Sequence, residues 1–123
     1  MHEKVTLDYN DNDPLVIITL INLILNRKRK ALAYLDTGSD SVVISKDLWL
    51  NLQLDMDECM GISVVGSVFD TWYTYIDFDF LGDKHKNVLA CYNEAAGDVL
   101  IGRNILDKYS ITFDGKSSKL YIE

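Results

Sequence analysis

Proline occurs once, glycine seven times and cysteine twice in 123 residues. So little proline and glycine, beside 48% hydrophobic residues, excludes a linker or a disordered tail and leaves one globular domain over residues 1–123 as the expectation. Cys59 and Cys91 lie too far apart in sequence for a metal-binding pair and read as two buried free thiols. No apolar run reaches the roughly 20 residues of a membrane span. The longest, Leu15 to Leu25, is interrupted by Thr19 and Asn22 and reads as a buried strand. Positive charge is scarce too: 12 basic residues face 19 acidic ones, a formal charge of −7, which opposes nucleic acid and anionic membrane surfaces as partners. The single basic cluster, Arg27-Lys28-Arg29-Lys30, lies between two apolar runs and reads as a solvated hairpin turn. The N-terminus lacks the basic, apolar and small-residue sequence of a secretory signal, so a reducing cytoplasm is the expected location.

What is present is mostly strand signal. Val5 to Tyr9 forms a short candidate, broken by the polar run Asn10 to Asp13 and by Pro14 before Leu15 to Leu25 begins. Ala31 to Leu35 follows the basic cluster as a second strand. Ser45 is placed to cap a short helix over Lys46 to Leu52, with Asp47 favouring its positive end. From Ser67 to Leu81 the residues alternate, Trp72, Ile76, Phe78 and Phe80 against Tyr73, Tyr75, Asp77 and Asp79, as in a half-buried strand. Upstream of it, Gly61-Ile62-Ser63-Val64-Val65-Gly66 is bracketed by glycines and suits the tip of a long hairpin over a site. A strand near Val88 to Tyr92, an apolar run Val99-Leu100-Ile101 closed by Gly102, a short helix from Arg103 to Lys108, and a terminal hairpin of Ile111 to Phe113 and Leu120 to Ile122 complete the pass. Leu32 to Gly38 and Asp98 to Gly102 echo each other, each an apolar strand ending in a glycine turn.

Chemistry centres on Asp36-Thr37-Gly38-Ser39. It follows an apolar strand, so the carboxylate sits at a strand end, where glycine allows the sharp turn and neighbouring amides and hydroxyls stabilise the charge. A bare Asp-Thr-Gly occurs by chance in roughly a few per cent of chains this long, so it needs support. Leu100-Ile101-Gly102-Arg103-Asn104 supplies it, falling after the glycine-bracketed hairpin and before the terminal strand. His2 and His85 read as terminal and surface-turn residues, and Trp72, Tyr73 and Tyr75 as packing residues. Asp8 to Asp13 has the look of a calcium loop, but the sixth position, Asp13, is not glycine and the closing position is Thr19, so neither a metal nor another cofactor is expected.

With these elements in this order, the chain resembles the retropepsin family, the single-domain aspartic proteases of retroviruses and their cellular relatives, from about Leu15 to Glu123. The resemblance implies that Asp36 is catalytic, that the Thr37 hydroxyl locks two active-site loops across a dimer, and that the Gly38 backbone meets substrate. It implies that Asp40 binds substrate backbone and pairs with Arg103, which reads as one half of a buried ion pair. Leu100 matches a wall of the substrate pocket, and Gly61, Ile62, Ser63, Val64, Val65 and Gly66 fall where the family has its flap. Two departures stand out: Ser39, counted with the substrate loop, replaces the alanine common in retroviral members, and the flap lacks their dense glycine tip.

The expected fold is therefore all-β, a small closed barrel with one or two short helices, dimerised partly through terminal strands. Hydrolysis without a metal needs one carboxylate to take a proton from water and another to donate one. No second Asp-Thr-Gly occurs, Asp70-Thr71-Trp72 lacking the glycine, so a homodimer must bring Asp36 against its symmetry copy. Cleavage of an extended peptide is the expected activity, and a hydrogen bond from Ser39 to Asp36 would lower its pH optimum. A non-catalytic peptide-binding or assembly module of the same fold is the alternative.

Overall fold

The computed structural model describes residues 5–9, 13–56, 59–64, 67–94 and 99–123, with 59–64 and 67–70 described as backbone alone. Their elements in chain order are β1 (Val5–Asp8), β2 (Leu15–Asn22), β3 (Arg27–Leu35), β4 (Val42–Ser45), α1 (Lys46–Asn51), β5 (Cys59–Val64), β6 (Ser67–Phe80), β7 (Asp83–Asn93), β8 (Val99–Ile101), α2 (Arg103–Leu106), β9 (Ile111–Asp114) and β10 (Lys119–Ile122).

Alternation decides how these strands close. One face of β2, Val16, Ile18 and Leu20, is buried with Ala33 and Leu35 of β3, Val42 and Ile44 of β4, Ile76, Phe78 and Phe80 of β6 and Ile101 of β8. The sheet runs β2-β3-β8-β4-β7-β6, and its two ends meet where Thr19, Leu20 and Ile21 pair with Asp79, Phe78 and Asp77. The result is the expected closed barrel, whose side chains fill its interior and whose closure removes the exposed edges. β5 lies outside the ring, paired only with the first half of β6. β1, β10 and β9 form a separate antiparallel sheet, and Leu120 and Ile122 join the barrel core from it.

Turn chemistry moves several boundaries. The β2–β3 turn lies at 23–26, where Asn26 takes a left-handed conformation and the Asn22 side chain accepts the Leu25 amide. Arg27-Lys28-Arg29-Lys30 is therefore the exposed start of β3 instead of the turn, and the strand expected to reach Leu25 stops at Asn22. Leu81 and Gly82, both at positive φ, make the β6–β7 turn, so β7 begins at Asp83, well before Val88. A bulge between Ile76 and Phe78 follows, with the buried Asp77 carboxylate accepting the Asn87 amide at 2.8 Å.

This register overturns the reading of His85 as a surface-turn residue. His85 pairs with Phe78, is buried, and stacks on the Phe78 ring at 5.3 Å. Tyr109, after α2, donates its hydroxyl to Asp83 at 2.9 Å, so its oxygen accepts from His85 Nε2 at 2.7 Å. At α1, Ser45 occupies the N-cap position but its hydroxyl makes no capping bond; burial of Trp49, edge-on to Tyr92, and of Leu52 holds the helix instead. Cys91 is a buried free thiol as expected, while the Cys59 side chain and His2 lie outside the described residues. Trp72 packs partly buried on the core, and Tyr75 is exposed.

Burial, then the hydrogen bond to Asp83 and its negative charge, raise the Tyr109 hydroxyl above the ordinary tyrosine range. An unfolded tyrosine ionises near pH 10, so this contribution is complete below that pH and is lost as pH rises toward the folded value. Tyr109→Phe should lower stability by about 1–2 kcal/mol at neutral pH through the lost hydrogen bonds. Urea unfolding of both proteins should show that gap narrowing above about pH 10; a gap that widens there would contradict the assignment.

Candidate active site

β3 and β8 run parallel, with Ala33, Tyr34 and Leu35 level with Val99, Leu100 and Ile101. β4 lies on the other flank of β8, where Val43 meets Leu100. To pass from β3 to β4 the chain must cross the end of β8, and residues 36–41 make that crossing directly over Gly102. A Cβ on Gly102 would lie 2.4 Å from the Ser41 carbonyl oxygen and 2.7 Å from that of Ser39, so only glycine lets the two backbones approach this closely. Main-chain bonds fix the crossing: Asp36 N–H to Ile101 O at 3.0 Å, Arg103 N–H to Ser39 O at 2.8 Å and Asn104 N–H to Asp40 O at 3.1 Å.

Within this loop the Asp36 carboxylate accepts the Gly38 amide at 2.9 Å, and the Asp36 carbonyl accepts the Ser39 amide at 3.2 Å. The carboxylate is thus oriented by the turn that follows it, while remaining partly open to solvent. Thr37 and Gly38 are exposed. Ser39 donates its hydroxyl to the Ser41 carbonyl at 2.7 Å, so the expected bond to Asp36 is not made. Asp40 and Arg103 form the expected hydrogen-bonded ion pair, but it is not buried: the side chains are 82% and 53% exposed at the barrel end, where such pairs contribute at most about 1 kcal/mol.

Leu100 is half-buried, and cross-strand register sets Tyr34 and Val43 beside it on the same face, both also half-buried. Sequence reasoning missed these two. The signal was Tyr34's position two residues before Asp36, which by alternation gives it the same facing. The hairpin expected to cover a site is present as β5–β6, with Gly61, Ile62, Ser63 and Val64 opposite Asp70, Phe69, Val68 and Ser67. Val65 and Gly66 lie outside the described residues. Among the described residues no group of three His, Cys, Asp or Glu side chains could hold a metal ion, and no helix is long and apolar enough to cross a membrane.

No protein-family model matches the sequence, and neither does any curated protein. Solved structures do match. A retropepsin-like aspartic protease from Rickettsia conorii superimposes with a TM-score of 0.71 at 14% identity, covering 98% of this chain and 89% of that one. The EIAV protease, in complex with the inhibitor HBY-793, superimposes with a TM-score of 0.57 at 22% identity, over 83% of this chain and 93% of that one. The chain has the retropepsin fold.

Because the crossing depends on the missing side chain, Gly102→Ala should destabilise the protein by about 1–3 kcal/mol or more through overpacking against backbone. Gly115→Ala, with nothing within 4 Å of the added Cβ, serves as the control and should cost far less. Equal denaturation midpoints for the two variants would show that the loop adapts to the methyl group.

Proposed function

We propose that the chain is one subunit of a homodimeric aspartic endopeptidase of the retropepsin type, with Asp36 of two copies forming the catalytic pair. The observation that carries this reading is the Asp36 carboxylate, held at the end of β3 in a loop bonded by its main chain to the end of β8. One such loop provides one such carboxylate, and peptide hydrolysis by general acid–base chemistry needs two. A two-fold axis through the loop supplies the second from an identical chain. Thr37, exposed beside Asp36, is the residue to bridge the loops across that axis.

Two carboxyls about 3 Å apart cannot both ionise readily and hold one proton between them. The ionised member takes a proton from water, whose oxygen attacks the scissile carbonyl carbon. The protonated member gives its proton to the carbonyl oxygen. Collapse of the tetrahedral diol breaks the C–N bond as a proton passes to the leaving amine, and the pair returns to its single-proton state. The peptide lies extended, as an added strand between the Asp36 loop and the β5–β6 hairpin. The Gly38 backbone, Ser39 and Asp40 face its main chain, and residues Gly61 to Gly66 cover it. Tyr34, Leu100 and Val43 form a half-buried row suited to apolar side chains near the scissile bond. The buried thiol of Cys91 accords with a reducing compartment, and we place the protein in the cytoplasm.

The Ser39 hydroxyl is engaged by Ser41. Ser39→Ala should therefore leave the pH–activity profile in place while lowering stability by about 1 kcal/mol; a displaced optimum would show that the hydroxyl acts on Asp36 after all. The principal test mixes wild-type chains with Asp36→Asn, which keeps the shape and removes the base. Co-refolded at equal amounts, only about a quarter of randomly paired dimers keep both aspartates, whereas independent sites would keep half. Cleavage of one peptide should fall with the square of the wild-type fraction. A linear fall would refute the shared pair, and a wild-type dimer that binds peptides without cleaving them would establish the non-catalytic module.

A further inference from the structure

Charge is segregated in this chain. Between Leu15 and Leu35 there are four basic residues and no carboxylate; the rest of the sequence holds the other 8 of the 12 basic residues and all 19 acidic ones. The structure gives that segregation a shape. Leu23, Ile24 and Leu25 form the tip of the β2–β3 hairpin and are 67%, 89% and 48% exposed. Directly behind them Arg27, Lys28, Arg29 and Lys30 are all exposed along the start of β3. On the outer face Lys28 stands opposite Ile21, Lys30 opposite Thr19, and then an exposed apolar pair, Ile17 opposite Leu32.

The asparagines at 22 and 26 suffice to make the turn, so nothing in the turn itself calls for three aliphatic side chains held in water. Clustered apolar exposure of this kind marks a contact surface. A cationic band immediately behind an apolar tip matches one contact, the edge of an anionic bilayer, where aliphatic groups enter about 5–10 Å and cations meet phosphates above them. At about 3.4 Å per residue, Arg27 to Lys30 extend over roughly 10 Å behind the tip, toward the level of the phosphates. On the other flank of β2, β6 brings the carboxylates Asp77 and Asp79 level with Ile21 and Thr19, and Asp77 already accepts the Asn87 amide. The whole-chain charge of −7 argued against acidic surfaces, but screening over about 8 Å at physiological salt leaves the local sign in control.

We propose that the β2–β3 hairpin docks the protein peripherally on anionic membranes, inserting Leu23, Ile24 and Leu25 while Lys28, Arg29 and Lys30 engage lipid phosphates. The contact needs neither Asp36 nor dimerisation, so it stands or falls apart from the peptidase reading.

Flotation of the full chain with vesicles of phosphatidylcholine, with and without phosphatidylserine, tests it. The protein should float with the serine-containing vesicles, weakly with phosphatidylcholine alone, and be released by salt. Lys28→Gln with Lys30→Gln should weaken binding to the anionic vesicles roughly 25-fold, about fivefold per cation. Leu23→Ser with Ile24→Ser should weaken it by roughly tenfold or more. As a reporter that needs no loss of binding, the Ile24→Trp variant should shift its emission to the blue when anionic vesicles are added. A wild-type chain that stays off anionic vesicles at low salt, double variants that float like wild type, or an unshifted emission from Ile24→Trp would each overturn the proposal. So would a changed sedimentation coefficient of Leu23→Ser/Ile24→Ser without lipid, which would assign the tip to a protein contact.

Discussion

The approach of the 36–41 loop to the backbone of Gly102 is the contact from which the candidate site is built. It is made almost wholly of main-chain groups, donors from Asp36, Arg103 and Asn104 meeting carbonyls of Ile101, Ser39 and Asp40. Main-chain bonds do not depend on which side chains the loop carries. The single sequence requirement is negative, that residue 102 has no Cβ to fill the space. A frame of this kind can persist while the surrounding residues drift, which accounts for a fold shared with proteins of very different sequence.

Much of this frame is legible in the sequence because its signals are local. Asp36-Thr37-Gly38 and Leu100 to Asn104 stand out as motifs, and the echo between Leu32–Gly38 and Asp98–Gly102 becomes, in three dimensions, the parallel pairing of β3 with β8. The barrel class follows from the resemblance those motifs carry, and the alternation in β6 agrees with it. What fails is whatever depends on how strands come into register. The run Asp83-Lys84-His85-Lys86 is polar enough to read as a turn, yet the turn belongs to Leu81 and Gly82, and the bulge beside Asp77 sets His85 against Phe78. Leu23 to Leu25 read as strand because they are apolar, although Asn22 and Asn26 carry the turn signal. Val43 cannot be found as a companion of Leu100 without knowing that β8 inserts between β3 and β4, whereas Tyr34 is signalled only by its alternation with Asp36.

Side-chain hydrogen bonds are the other weak point, for a related reason. A serine hydroxyl has several acceptors within reach, and the backbone geometry chooses among them. Ser39, expected to reach Asp36, instead bonds the Ser41 carbonyl; Ser45, expected to cap α1, does not. Asp40 and Arg103 find each other as expected, because opposite charges across a pinned crossing have few other options, but the pair lies far shallower than its sequence suggests. Partner choice here follows from the resemblance, which matches Asp40 to Arg103. Exposure does not, since it depends on what else covers the end of the barrel.

Closure of the barrel also makes its wall uneven in strength. β2 is bonded to β3 along its full length from Leu15 to Asn22, but to β6 only through Thr19, Leu20 and Ile21. The same two strands that meet in that short seam extend into the two hairpins that leave the barrel, β2 into the apolar tip and β6 into the segment paired with β5. A load on either hairpin is therefore delivered to this three-residue seam. In mechanical terms both levers of the barrel are attached at the same short clasp.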